Sequence, residues 1–427
     1  MKYLDILKEL AWRGLLCKYT IGIKEQLKKE PNLIYIGFDP TSDSLHIGNL
    51  LPLFILEHFH RFGYKTLTII GGATGMIGDP SGKYKERTLL DKEMLLHNIH
   101  CIQKQLELFL TVEKTRLVNN YDWIGNLSFL NFVRDIGKNL TINYMMAKES
   151  VKSRLKSESE GLSFTEFTYQ LLQAYDFYHL YTHETCCIQI GGSDQWGNII
   201  TGIELIRRIT GGNAFGITFP LITKPNGTKF GKSDNNENIW LDFRKTSPYK
   251  FYQFWLNISD DEAGRFIKYY TFFNKEEIDN LLFTHNKAPY KRILQKTLAK
   301  NMTKFIHGVE NYKKSLKLSN FLFGKDRFRS ISSLDERAFL SLFQVITHKQ
   351  INRGLLHRGI SILEALTENS AFFSSKGEAI RALKEKALYV NREKVDDNFV
   401  INENYIIANR YILLQKGKKN FFILDVR

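Results

Sequence analysis

The sequence predicts an α/β fold: a doubly wound parallel sheet, then a helical segment, then a small α+β domain. Three observations predict it. Through the first 220 residues, β-rich runs of six or seven residues alternate with longer helical runs, as in a sheet with crossover helices. A Gly/Asn/Lys-rich stretch, 223–238, then breaks the alternation. From residue 353 onward, one basic helical run precedes several short strands.

LIYIGF (33–38) is the first strand and stops at the turn signal Asp39-Pro40. Asn49 to Phe62 is nearly all apolar, too long for a strand, and reads as a buried helix. TLTIIGG (66–72) is the second strand, 87–110 a long amphipathic helix and TRLVNN (115–120) the third strand. Helical segments run to about Tyr181. CCIQIGG (186–192) is the fourth strand, and 195–210 a helix. Residues 223–246 read as a mobile loop and connector, 247–325 as helical, 326–352 as a linker and 353–427 as the last domain. That domain has a helix near 376–386 and strands in LYV, NFVI, YILLQ and NFFIL.

Of the 427 residues, 43% are hydrophobic and 13% aromatic, which excludes wholesale disorder. No run of 18 uncharged apolar residues exists, so no membrane span is expected. Asp5, Lys8, Glu9 and Arg13 interrupt the start, unlike a secretory signal. Four cysteines are too few for a disulfide framework and point to a reducing cytosol. The net charge is +15, and residues 241–350 hold 20 Lys/Arg against 11 Asp/Glu. From Lys287 to Arg329 the only acids are Glu310 and Asp326. Such asymmetry points to a polyanion such as nucleic acid; a solvated helical face or a lysine-rich genome gives the same pattern.

In a doubly wound sheet, ligands bind beyond the carboxyl ends of the strands, which selects the segments after Phe38, Ile70 and Ile190. After the first strand come Gly37, Asp39, Thr41 and then His46-Ile-Gly48-Asn49 at a helix start, a place suited to phosphate. There Gly48 would let a nucleotide lie against the backbone; ordinary turn and cap residues read the same way. Gly72 to Lys83 is glycine-dense, but its GxxGxxG spacing fits neither the dinucleotide fingerprint nor a P-loop. Within it Asp79 suits an amine, and Lys83 and Arg87 suit phosphates. Gly191-Gly192-Ser-Asp194-Gln195 places an acid beside glycines, as ribose hydroxyls require. Tyr169, Gln173 and Asp176 share one helical face. Lys229-Phe-Gly-Lys232-Ser233 is a flexible loop able to close over polyphosphate.

In this order and spacing, YIGFDPTSDSLHIGNL (35–50), GGATGMIGDPSGK (71–83), NYMMAKESVKSR (143–154), FTYQLLQAYDF (167–177), GGSDQWGNI (191–199) and KFGKS (229–233) resemble the class I aminoacyl-tRNA synthetases. Within that class they resemble the bacterial tyrosyl-tRNA synthetase family, over nearly the whole chain. The resemblance implies a Rossmann-like catalytic domain at 1–222, an anticodon-recognition domain at 247–325 and a small ribosomal-protein-like RNA-binding domain at 353–427. It implies ATP with Mg²⁺ as substrate, no tightly bound protein metal, tRNA(Tyr) and L-tyrosine as partners, and a cytoplasmic homodimer. On that pattern Tyr35 and Asp176 hold the phenol hydroxyl. Asp79, Tyr169 and Gln173 surround the amino group, with Gln195 nearby, and Asp39 contacts the amino acid or adenosine. Gly37, His46, Gly48, Asn49, Gly192, Asp194 and Lys232 line the ATP site. Thr41 and His46 hold the γ-phosphate, and Lys83, Arg87, Lys229, Lys232 and Ser233 grip the departing pyrophosphate.

The chain departs from the family in places. Asn49 replaces the second histidine of His-Ile-Gly-His, and Pro52 falls early in the following helix. In 375–395 the usual turn glycines are absent: Lys386-Ala387 precede the strand and Arg392 follows Asn391. His179, His183, Cys186 and Cys187 suggest zinc, but adjacent cysteines on a strand diverge. His58 and His60 read as packing or surface residues. Two rivals remain open: a tryptophanyl synthetase, and an RNA-binding protein that kept the fold without activity.

Overall fold

The computed structural model describes residues 6–29, 33–80, 90–110, 114–148, 151–152, 163–223, 230, 238–323, 346–370, 372–417 and 420–427. It divides into two compact units, 1–241 with 261–287, and 242–260 with 288–427. These units cut across the helical segment expected at 247–325.

The first unit is built on a six-stranded sheet: β1 Lys18–Tyr19, β2 Leu33–Phe38, β3 Lys65–Ile70, β4 Thr115–Asn119, β5 Cys186–Gly192 and β6 Phe215–Phe219. Its order is β1-β6-β5-β2-β3-β4, parallel except for β1, which pairs antiparallel with β6. The chain runs outward through β2, β3 and β4, then returns to lay β5 on the other side of β2. The strand order therefore reverses between β2 and β5, where such sheets open a crevice. β5 is buried along its whole length, as its apolar run requires.

The helix expected over Asn49–Phe62 is a short 3₁₀ turn, Ile47–Asn49, followed by the helix Leu50–Arg61. Pro52 sits in that helix's first turn, where its missing N–H costs little. The Phe164–Glu184 helix starts at a Ser163 cap and packs Phe177 and Leu180 on Tyr35, Leu67 and Ile69 of the sheet. Arg13, 2% exposed, donates to the carbonyls of Lys268, Thr271 and Phe273 at 2.8, 2.9 and 2.6 Å. It thus ties the helix Ile6–Arg13 to the end of Asp260–Tyr269.

In the second unit the helix Ile293–Phe323 is broken at Gly308, whose φ is 82°. A five-stranded sheet follows, of β7 Thr347–Ile351, β9 Leu388–Val390, β10 Glu393–Lys394, β12 Tyr411–Lys416 and β13 Asn420–Val426. Its order is β10-β9-β12-β13-β7, while β8 Ile360–Ser361 and β11 Val400–Ile401 form a separate pair. The helix Lys376–Lys384 buries Ala379, Ala382 and Leu383 against this sheet's core. β7 falls where the sequence reads as linker. It pairs in parallel with β13, so the last sheet begins by residue 347. The hairpin β9–β10 turns through Asn391 and Arg392, both with positive φ, without glycine.

Candidate active site

A cavity of 410 Å³ opens at the β2/β5 crevice. Tyr35, Gly37, Asp39, Thr41, His46, Gly48 and Asn49 line it from β2 and the segment beyond. Asp79 enters after β3, Tyr169, Gln173 and Asp176 from the Phe164–Glu184 helix, and Gly192, Asp194 and Gln195 from the end of β5. The structure thus gathers fourteen expected residues on one cavity. Lys83, Arg87, Lys229, Lys232 and Ser233 lie outside the described residues. Within KFGKS only Phe230 is described; it is buried, its ring centroid 4.5 Å from that of Phe266.

At one end of the cavity Asp176 is 3% exposed, and each of its oxygens accepts one hydrogen bond. Trp123 Nε1 donates to Oδ1 at 2.8 Å and Asn120 Nδ2 to Oδ2 at 2.9 Å. Burial pushes its carboxyl up to about 7, against the pull of those two donors. Tyr35 is also buried, and its hydroxyl has no hydrogen-bond partner among the described residues. Burial and then the neighbouring Asp176 charge hold that phenol well above its ordinary range. A carboxylate and an unpartnered hydroxyl at one apolar-walled end suit a ligand that itself carries a hydroxyl.

Toward the middle, Tyr169 Oη donates to Asp39 Oδ2 at 2.9 Å, and Thr74 Oγ1 to Asp39 Oδ1 at 2.8 Å. Because Tyr169 spends its proton on Asp39, its oxygen is left to accept from a ligand. A methyl group on Gly71 would lie 2.1 Å from Asp39 Oδ1, so a glycine is needed there for the carboxylate to fit. Gln195 Nε2 donates to Asp79 Oδ2 at 2.7 Å, and Asn198 Nδ2 to Gln173 Oε1 at 2.8 Å. Carboxylate, phenolic and amide oxygens therefore surround a space suited to an ammonium group.

At the start of the Ile47–Asn49 turn, the His46 backbone N–H donates to Asn49 Oδ1 at 3.0 Å. The Gly48 N–H donates to His46 Nδ1 at 3.0 Å. β-Bridging to Trp240 fixes the same segment from its other side.

Sequence reasoning missed Asn120, Trp123, Thr74 and Asn198. Asn120 follows β4, a strand end like the three that were searched, so the same rule finds it. Asn198 stands three residues after Gln195 in GGSDQWGNI. Its partner Gln173 is on another helix, so no local signal marks it. Cys186 and Cys187 are buried in β5, while His179 stacks on Trp123 at 4.5 Å and on His183 at 4.2 Å. His58 and His60 are both buried; His60 Nε2 lies 2.7 Å from Thr66 Oγ1.

The fold and cavity match a known class. The family model described as tRNA synthetases class I (W and Y) matches residues 27–324, so the chain belongs to the class I tRNA synthetases. A second model, Tyrosine--tRNA ligase SYY-like C-terminal domain, matches 347–424. The chain is 50% identical over 429 residues to the tyrosine–tRNA ligase of Flavobacterium johnsoniae, covering 99% of each chain. It is 51% identical over 428 residues to that of Bacteroides fragilis, again covering 99% of each. Within its class, it belongs to the tyrosine–tRNA ligase family. A solved Aspergillus nidulans mitochondrial tyrosyl-tRNA synthetase, C-terminally truncated, superposes with TM-score 0.65 at 29% identity, over 73% of this chain and 92% of that one. An Encephalitozoon cuniculi tryptophanyl-tRNA synthetase shares the fold at TM-score 0.52 and 13% identity.

Proposed function

We propose that the cavity activates L-tyrosine with ATP and that the chain then transfers the tyrosyl group to tRNA(Tyr). The observation that carries this reading is Asp176, fixed by Asn120 and Trp123 beside the unpartnered Tyr35 hydroxyl. The substrate phenol donates to Asp176 and accepts from Tyr35. Phenylalanine would leave both groups buried and unpaired, which disfavours it. The ammonium lies among Asp79, Tyr169 and Gln173, with Asp39 orienting Tyr169 and Gln195 orienting Asp79.

One tyrosine carboxylate oxygen attacks the α-phosphorus in line. That bond forms as the bond from the α-phosphorus to the bridging oxygen breaks, and pyrophosphate leaves. No protein nucleophile is needed, so the chain contributes position and charge stabilisation. We assign Gly37, Gly48, Asn49, Gly192 and Asp194 to the nucleotide. Thr41 and His46 serve the phosphates beyond the reacting phosphorus. Lys83, Arg87, Lys229, Lys232 and Ser233 hold the leaving pyrophosphate. Among the described residues no three His, Cys, Asp or Glu side chains converge as a metal site. Mg²⁺ is assigned to the substrate, arriving on ATP.

Tyrosine-dependent ATP–pyrophosphate exchange tests the reading, with phenylalanine and tryptophan alongside. Exchange with tyrosine alone is expected; exchange with tryptophan, or with none of the three, overturns it.

The tRNA reading is supported by the match at 347–424 and by the excess of Lys/Arg over 241–350. Among the described residues no helix is long and apolar enough to cross a membrane, and no cysteine forms a disulfide. The free thiols support a place in the cytoplasm.

A second copy of this chain is the proposed partner of an apolar groove lined by Ile124, Phe129, Val133, Ile142, Phe164 and Leu171. Phe129, Leu130 and Phe164 are 68%, 77% and 72% exposed, an unusual apolar concentration for a surface without a partner. Phe164 begins the helix that carries Asp176, so a partner seated there would brace the tyrosine site. Leu130→Glu should convert a dimer to a monomer in analytical ultracentrifugation. A wild-type monomer at micromolar concentration would refute the dimer.

A further inference from the structure

The last sheet is buried on both of its faces. An antiparallel sheet commonly keeps one face in water, and its strands then alternate apolar with polar residues. β12 and β13 do not alternate: 411–415 and 422–426 are buried without a break. Ile412, Leu414, Phe422 and Leu424 belong to the core that holds the helix Lys376–Lys384. Tyr411, Leu413 and Ile423 point the other way, into a separate core. Leu413 and Ile423 are direct partners in the ladder, so that second face is continuous across both strands.

What covers the second face is helical. Tyr249 from the helix Pro248–Asn257, and Leu318 and Leu322 from Ile293–Phe323, pack against it in the same core. None of these six side chains, three from the helices and three from the sheet, is more than 2% exposed. At the margin the rings of Phe323 and Phe421 meet with centroids 5.8 Å apart. Gln253 Nε2 donates to Ser319 Oγ at 3.0 Å, which ties the two helices to each other. Parting the sheet from the helices would bare an apolar patch on each, so burial holds them together before any RNA is bound. A linker at 326–352 alone would leave the last domain tethered and free to turn; this seam does not. Both sides of it carry exposed cations: Lys296 and Lys300 on Ile293–Phe323, and Lys376, Arg381 and Lys384 on Lys376–Lys384.

We infer that this seam positions the RNA-reading sheet. Tyr249, Leu318 and Leu322 hold Tyr411, Leu413 and Ile423, so the cations of the helices and those of the sheet domain keep fixed separations before tRNA arrives. The six are positioning residues, since all are buried and act through the groups they hold. The inference deepens the tRNA reading and rests on it for its consequence, whereas the seam itself stands on packing alone. A preset surface avoids the ordering cost that a tethered domain meets on binding.

Hydroxyl-radical footprinting of the full chain without tRNA tests the seam, with oxidised side chains read by mass spectrometry. Tyr249 and Tyr411 should oxidise far more slowly than Tyr290, which is 82% exposed, and adding tRNA should not protect them further. Oxidation of Tyr249 and Tyr411 at rates near that of Tyr290, falling when tRNA is added, would overturn the inference, because the sheet would then dock only on RNA.

Leu318→Asp tests the consequence. It places a charge in the seam from the helix side and leaves the sheet's other core untouched. It should open Tyr411 to oxidation and raise the KM for tRNA in charging at least about tenfold, with the kcat and tyrosine KM of pyrophosphate exchange within about twofold of wild type. Leu318→Met keeps the volume and should charge as wild type does. Tyr411 still protected in Leu318→Asp, or a tRNA KM within about twofold of wild type once Tyr411 is open, would overturn the positioning role. Wild-type protein that exchanges pyrophosphate but charges no tRNA would strike the tRNA reading instead, and the footprint would decide the seam by itself.

Discussion

Trp123→Phe removes one hydrogen bond and little else. The Trp123 N–H reaches Asp176 Oδ1 at 2.8 Å, and its ring stacks on His179 with planes 10° apart, a contact that phenylalanine largely keeps. A hydrogen bond to a charged group contributes about 1.5–3 kcal/mol. Losing it penalises the ionised carboxylate, so Asp176 titrates roughly one to two pH units higher, at about 1.36 kcal/mol per unit. Burial already places it at about 7, so at neutral pH roughly half the wild-type sites are ionised. In the variant that fraction drops to roughly a tenth or a hundredth. Because the substrate phenol donates to the ionised form, tyrosine should bind about 5- to 50-fold more weakly at pH 7. The deficit should shrink as pH rises toward 9. The assay is the KM for tyrosine in pyrophosphate exchange from pH 6 to 9, with ATP saturating. A general loosening of the pocket would not be repaired by base. A tyrosine KM with wild-type magnitude and pH profile would refute the reasoning, and so would a deficit constant across pH.

Two stability predictions come from groups outside the cavity. Burial, then the Arg13 charge, pushes His58 down to about 3 from its ordinary 6.5. Its folded value is depressed, so the unfolded chain takes up the proton first. Stability from this site is present above pH 6.5 and falls by up to about 1.4 kcal/mol per pH unit below it, until near pH 3. Urea unfolding at pH 6.5 and 5 should show a smaller loss for His58→Leu than for wild type; equal losses would remove His58 as the cause. Lys386 is exposed and holds φ at 55°, a left-handed conformation that favours glycine. Lys386→Gly should raise the stability of the second unit by up to about 1 kcal/mol in urea unfolding, and a decrease would mean that the side chain has an unrecognised role.

What the sequence made legible was whatever local chemistry writes locally. β2, β3 and β5 were visible because buried parallel strands are apolar runs, and the cavity followed from where those strands end; edge strand β4 showed through Leu117 and Val118, while β6, buried over 216–219, was missed. β7 was not visible, because THKQI exposes four of its five residues and carries almost no apolar signal. β1, two exposed residues pairing with β6, is equally silent. The His46 cap was hidden for another reason: its side-chain acceptor is a histidine nitrogen, not the Ser, Thr, Asp or Asn that usually marks a helix start. The pairing of Asp176 with its donors was hidden because Asn120, though marked by the end of β4, and Trp123 lie more than fifty residues away along the chain.

That support reaches further than Asp176. Asn120 Nδ2 also donates to Thr74 Oγ1 at 3.1 Å, and Asn120 Oδ1 accepts from the Ala73 N–H at 2.7 Å. Thr74 in turn donates to Asp39, which also accepts from the Tyr169 hydroxyl. One chain of hydrogen bonds therefore runs from Trp123 through Asp176, Asn120, Thr74 and Asp39 to Tyr169. It connects the group we propose for the phenol to the group we propose for the ammonium. Each member's orientation is set by its neighbours: Asn120 cannot flip its amide without losing the Ala73 N–H, and Thr74 cannot turn its hydroxyl from Asp39 without leaving that carboxylate short of a donor. On the proposed reading, the two ends of the substrate meet a single connected network, and the distance between phenol and amine becomes part of what the site recognises.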